Sequence, residues 1–304
     1  MKPLKLYLEE LRAPFFTASI VPVLLGTLIA WARTGVFHVD TFLLTLLGGV
    51  LLHAGTNVVN DYYDHVSGND EANTRFVRPF TGGSRMIQKG LLSPKEVLTL
   101  GLVCFALGSL IGLYLAFRVG KVILLLGAIG ILSGYFYTAP PLRLVSTGFG
   151  ELLVGLNFGS LMTLGAFYVQ TRWLTWEPVV ASLPVSFLIA AVLYINEFQD
   201  MEADSAVGKT HWVVRLGRAR AVKGYAWILG LTYASILLGV LLRLTSPWTL
   251  LGLLTLPIAW KGLRVAREFY DDYLKLAPAN AATVMVHLLT GLLLSLGYVL
   301  ERLI

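Results

Sequence analysis

The sequence predicts an all-α integral membrane protein, nine transmembrane helices bundled around a central cavity. Three observations predict it. Of the 304 residues, 56% are hydrophobic and only 14% charged, with a mean hydropathy of +0.71, far from the composition of soluble domains. Nine stretches lack Asp, Glu, Lys and Arg: 13–32, 41–60, 97–117, 122–142, 152–171, 178–196, 224–242, 244–260 and 276–300. Each is a candidate for the run of about 17 to 25 apolar residues with which a helix crosses hydrocarbon while satisfying its own backbone. Finally, with the N-terminus cytoplasmic, 18 Lys and Arg fall on the cytoplasmic side of these spans and six on the other, the bias of the positive-inside rule.

The elements follow in order. The first stretch has basic residues ahead of it, Lys2 and Lys5, and an A-x-A-like Ala30-Trp31-Ala32. Glu9, Glu10 and Arg12 interrupt that start, and the run exceeds the apolar core of about 7 to 15 residues of a cleaved signal peptide, so it reads as a span. The third stretch is opened by Ser93 as N-cap, Pro94 at the first helical position and Glu96 three residues after the cap, a capping box. The fourth ends at Pro140-Pro141, where helix must break. The segment "GELLVGLNFGSLMTLG" (150–165), which leads into the fifth, carries Gly150, Gly155, Gly159 and Gly165, read as permitting close helix packing. Residues 1–304 form a single membrane domain, with long cytoplasmic loops at 61–96 and 197–223. The single cysteine, Cys104, excludes an internal disulfide and disfavours thiolate metal sites. The net charge of +6 restates the orientation bias and is no sign of nucleic-acid binding.

Candidate chemistry sits at the ends of the second and sixth stretches. If the second helix continues past residue 60, His53, Asn57, Asp61 and Asp64 share one face. Asn196, Asp200 and Asp204 repeat the pattern four helices later. Eight of the 18 acidic residues, Asp61, Asp64, Asp70, Glu71, Glu197, Asp200, Glu202 and Asp204, occupy these two segments. Carboxylates gathered in this way repel unless they share a cation. Oxygen ligands select a hard divalent ion, best Mg2+, which completes its shell with phosphate oxygens. Glu71, Glu197 and Glu202 fall off the shared face and are expected to point to solvent. The competing class is a secondary transporter or channel, whose sites lie nearer the midplane.

Together "NDYYD" (60–64) and "DMEAD" (200–204) resemble the paired aspartate motifs of the UbiA superfamily of intramembrane prenyltransferases. "RPFTGGSRMIQKGLLSP" (78–94), "YFYTAPPLRL" (135–144), "GELLVGLNFGSLMTLGAFYVQ" (150–170) and "DSAVGKTHWVVRLG" (204–217) are similar to its MenA-like branch, the 1,4-dihydroxy-2-naphthoate prenyltransferases of menaquinone biosynthesis. The resemblance implies Mg2+-dependent transfer of a polyprenyl group from a polyprenyl diphosphate to an aromatic acceptor in the cell membrane. The matching Mg2+ ligands are Asn57, Asp61, Asp64, Asp200 and Asp204, with Asn60 and Asn196 in the same motifs and two ions bridged by the diphosphate. Asp70, nine residues after Asp61, fits the longer first motif of the MenA-like branch, its role open. Other acceptors, an aromatic acid or the glycerol phosphate of ether lipids, remain alternatives.

Four cations are candidates for neutralising the departing pyrophosphate: Arg78, Arg85, Lys209 and Arg215. Each has the alternative of a charge facing anionic headgroups. Tyr137 is a candidate to shield a carbocation, and Arg143 to pair with an acceptor carboxylate; an interfacial aromatic belt is the competing reading of the tyrosine. His53 is placed either against the acceptor or as a packed, hydrogen-bonded histidine. Gly82 and Gly83 suit a mobile cap over the cavity.

Overall fold

The computed structural model describes residues 2–304. Among them there are no strands, and helices take up most of the chain. In order they are α1 (Leu4–Glu10), α2 (Thr17–Thr34), α3 (Val39–Val66), α4 (Asn69–Ala72), α5 (Pro94–Val119), α6 (Val122–Tyr135), α7 (Gly150–Gly155), α8 (Met162–Thr171), α9 (Trp176–Ala206), α10 (Trp212–Leu216), α11 (Arg218–Leu241), α12 (Leu256–Phe269) and α13 (Ala277–Leu303). A π-helical turn, Leu156–Leu161, joins α7 to α8, and a 3-10 segment, Pro247–Thr255, leads into α12.

Eight helical segments are long and apolar enough to cross a membrane. The sequence expects a ninth over 122–142, but α6 has 14 residues, about 21 Å of helix against about 30 Å of hydrocarbon. It stops at Tyr135, five residues before the Pro140-Pro141 pair expected to end it, and turns fill the interval. The chain still travels from one end of the bundle to the other here. Val119 accepts a hydrogen bond from the Tyr168 hydroxyl at one end, and Ser146 accepts from the Thr210 amide at the other.

Two helices overrun their apolar stretches and thereby build the site. α3 continues six residues beyond the uncharged stretch, to Val66, before Gly68 turns the chain with φ of 78°. α9 runs 31 residues to Ala206. Both acidic motifs are therefore helical and lie at the same end of the bundle. α5 begins with the expected capping box, Ser93 and Glu96 exchanging hydrogen bonds.

α3 packs along α5, and α9 along α11, while α2 lies between α8 and α13. The main core, with Leu25, Ile29, Leu188, Ile195, Tyr225 and Leu294 fully buried, joins α2, α9, α11 and α13. α3, α5, α6, α7 and α8 complete the wall of a cavity of about 360 Å3. Close packing against α9 depends on Gly155 and Gly159: a Cβ on Gly159 would lie 2.0 Å from Ser186 Oγ, and one on Gly155 2.9 Å from the Ser186 carbonyl oxygen.

Candidate active site

The site lies where the cavity meets the motif end of the bundle. From α3 it takes His53, Asn57, Asn60 and Asp64, and from α9 Asn196, Glu197, Asp200 and Asp204. These are the spacings of one helical face. Asp61, expected on this face with His53, Asn57 and Asp64, is instead on its flank, about 100° from Asn60, and does not line the cavity. It is buried, accepts from the Ser84 amide at 2.8 Å, and lies 3.5 Å from an Arg12 nitrogen. Gly83 fits against it because an added Cβ would stand 2.7 Å from its Oδ1.

Lys209 connects the two motifs. Gly208, at φ of 80°, turns the chain after α9, and the Lys209 ammonium sits 2.9 Å from Asp64 Oδ1 and 3.0 Å from Asp204 Oδ1. Burial works against that charge, yet Asp64 and Asp204 together hold the ammonium well above its ordinary pKa. A cation thus already stands between the motifs. This stand-in and the acidic donor set around it form a polar cradle that fits a hard divalent ion bound through oxygen.

Around this centre the loops are braced. Asn73 donates to Asp200 at 2.7 Å, and Asn280 to Asn196 at 2.7 Å. Asp70 lines the cavity and accepts from Gln88 at 3.0 Å; burial, then the charges of Asp64 and Asp61, push its carboxyl up to about 8. His53 is buried, 2.9 Å from Ser19 Oγ, its ring between Phe16 and Phe158.

The four cations separate. Lys209 lines the cavity. Arg85 is buried, donating to the carbonyls of Asp70 and Asn73 with its guanidinium 4.2 Å from the Phe76 ring centre. Arg78 donates to the Ser84 carbonyl at 2.6 Å. Both clamp the loop that carries Ser84, the partner of Asp61. Arg215 is exposed and donates to the carbonyls of Thr210 and Thr147, outside the cavity lining. Arg143 is also exposed, with φ of 43° in the turn after the prolines; Tyr137 does line the cavity.

One expectation is overturned. Glu197 does not face solvent: it is 4% exposed and lines the cavity. The reason is His211, whose Nε2 lies 3.0 Å from Asp204 and whose Nδ1 lies 3.3 Å from Glu197. Burial opposes the imidazolium, but these two carboxylates push its pKa up to about 10. Glu71 and Glu202 are exposed as expected, paired with His65 and Arg218. Sequence reasoning also missed Arg12 at the cavity mouth, buried Glu151 and buried Glu10. Arg12 was legible as a cation directly before the first span, and His211 as an ionisable residue seven positions after Asp204.

The model of the UbiA prenyltransferase family matches residues 19–298. The chain is 29% identical to the 1,4-dihydroxy-2-naphthoate octaprenyltransferase of Bacillus subtilis over 95% of its own length and 91% of the relative's. It is 30% identical to the 2-carboxy-1,4-naphthoquinone phytyltransferase of Synechocystis, over 97% and 93% respectively. Its fold is shared with a UbiA homologue from Archaeoglobus fulgidus solved with DMAPP and Mg2+, at a TM-score of 0.62 and 18% identity, covering 95% of this chain and 98% of that one. With a family match across nearly all of its length, this chain belongs to the UbiA prenyltransferase family.

Proposed function

We propose that this protein transfers a polyprenyl group from a polyprenyl diphosphate to 1,4-dihydroxy-2-naphthoate, at the carboxyl-bearing carbon with loss of CO2, in menaquinone biosynthesis. The observation that carries the reading is the joining of two opposed acidic motifs, bridged by Lys209, to a cavity that continues between apolar helices. An anionic head bound through a cation and a long apolar tail fit those two halves. The names of the two naphthoate- and naphthoquinone-specific relatives support the acceptor.

Asn57, Asp61, Asp64, Asp200 and Asp204 would hold Mg2+, two ions in our reading, with Asn60 and Asn196 beside them. The metal, when bound, neutralises charge on the diphosphate and eases its departure. Lys209 and Arg12 line the mouth and are placed to meet the remaining charge on the leaving pyrophosphate. Tyr137 and Phe158 present aromatic surface to the cavity, suited to an allylic cation. Val23, Leu52, Ile111 and Val169 wall the deeper part and keep water from the chain. The prenyl carbon gives up its C–O bond pair to pyrophosphate and gains a C–C bond from the ring, whose carboxylate then leaves as CO2. The motif end is assigned to the cytoplasm on the 18 to 6 charge bias.

An assay in membranes with Mg2+, a prenyl diphosphate and each of three acceptors tests the reading: 1,4-dihydroxy-2-naphthoate, 4-hydroxybenzoate and geranylgeranylglyceryl phosphate. Transfer to the naphthoate is expected. Transfer to another acceptor with none to the naphthoate would reject the branch and leave the family intact.

A further inference from the structure

We propose that Glu197, backed by Glu151, is the subsite that recognises a hydroxyl group of the aromatic acceptor; this rests on the acceptor class given above. Glu197 is 4% exposed and lines the cavity, and neither of its carboxyl oxygens receives a hydrogen bond. Oε2 is 3.3 Å from His211 Nδ1 but out of line for a hydrogen bond, while Oε1 has no partner. His211 is committed on its other side to Asp204. Glu151, 6% exposed, accepts from the Trp212 amide at 3.2 Å with Oε1 and leaves Oε2 without a partner. Ligand atoms of Glu151, Glu197 and His211 lie within 4.8 Å of one another.

The His211 charge compensates Glu197 from the Oε2 side, but Glu197 Oε1 and Glu151 Oε2 are left with no donor at all; a buried acceptor without a donor is costly, so these two oxygens suit a ligand that donates. A diphosphate, itself anionic, is repelled by it and directed to the metal motifs and Lys209. A phenolic hydroxyl is attracted, because a hydrogen bond to a carboxylate is charge-assisted. Glu197 is three residues before Asp200 on α9, less than one turn away. A ring held there stands beside the diphosphate end of the donor, where the reacting carbon must be. The hydrogen bond also leaves more electron density on the phenolic oxygen and, through it, on the ring that attacks.

The test pairs the residue with the substrate group. Wild-type protein in nanodiscs, with prenyl diphosphate and Mg2+ saturating, is given the free diol and each of its two mono-methyl ethers. The diol is expected to exceed at least one ether by at least about tenfold in kcat/KM, as when a site built for a hydroxyl meets an analogue without its donor. In Glu197→Leu that ratio should fall to near one, chiefly through a raised KM for the diol, while Glu197→Gln keeps part of it. A carboxylate that served packing alone would lower diol and ethers together. Mg2+-dependent binding of the prenyl diphosphate to Glu197→Leu should match wild type; its loss would assign Glu197 to the diphosphate instead and overturn the proposal. An unchanged ratio in Glu197→Leu also overturns it. So does an equivalent of Mn2+ or Zn2+ that survives dialysis in wild type but not in Glu197→Leu or His211→Ala, which would make the cluster a cation site. No turnover of the diol by wild type would instead remove the acceptor itself, and the proposed function with it.

Discussion

Replacing Lys209 by Met keeps most of the apolar stem and removes the positive charge shared by the two acidic motifs. The ammonium is 2.9 Å from Asp64 and 3.0 Å from Asp204, and breaking a buried ion pair costs about 3 to 5 kcal/mol. The lower end, about 3 kcal/mol, applies here because the Asp64 side chain retains 16% exposure and water screens part of the repulsion. The loss is recoverable, since a divalent ion supplies the charge the lysine did: saturation to 100 times its Kd returns about 2.7 kcal/mol. In thermal unfolding with EDTA, Lys209→Met should melt below wild type, and Mg2+ should raise the variant's Tm by more than the wild type's. Without diphosphate, Mg2+ should also bind the variant more tightly, having no ammonium to displace. Equal melting in EDTA, or equal gains from Mg2+, would refute the view that Lys209 acts as the counter-ion of both motifs.

Single Asp→Asn changes at 61, 64, 200 or 204 should each cut prenyl transfer by at least about tenfold, about 1.4 kcal/mol of transition-state stabilisation, with the Asp61→Asn, Asp200→Asn pair costing less than the product of its singles; Arg143→Ala and Arg215→Ala, off the cavity, serve as controls that retain most turnover. A Cβ on Gly130 meets nothing within 4 Å and the residue lines the cavity, so Gly130→Leu should fold and shift preference to shorter prenyl diphosphates, measured by competing donors of different length. Glu10 is fully buried without a donor, and burial followed by Asp61 pushes its carboxyl from 4.5 to about 8. Between those values the folded state holds the extra proton, so stability falls as pH rises from about 4.5 to 8. Glu10→Gln should melt higher than wild type at pH 8 and equally at pH 5, as followed by metal-free unfolding.

The helices and the pairing of the two acidic segments were legible because helical spacing alone places 196, 200 and 204 on one face, and 53, 57 and 64 on another; Asp61, expected on that second face, lies on its flank, and Asn60 takes its place in the cavity lining. The cap at Ser93 was legible for the same local reason. What the sequence hid depends on tertiary approach. Arg215 and Arg143 stand close in sequence to the site, yet their turns carry them to its outside. Glu197 looked solvent-facing until the Gly208 turn returned His211 against it. The uncharged run 122–142 contains nothing that says its helix stops at Tyr135 rather than at the proline pair itself.

Purified protein given a polyprenyl diphosphate, 1,4-dihydroxy-2-naphthoate and Mg2+ supplies the most direct measurement: pyrophosphate, CO2 and prenylated ring counted in the same reaction. The account predicts the three in equal amounts, and none when EDTA is present. Failure to prenylate the naphthoate under saturating Mg2+, with the protein folded and binding the diphosphate, would contradict it.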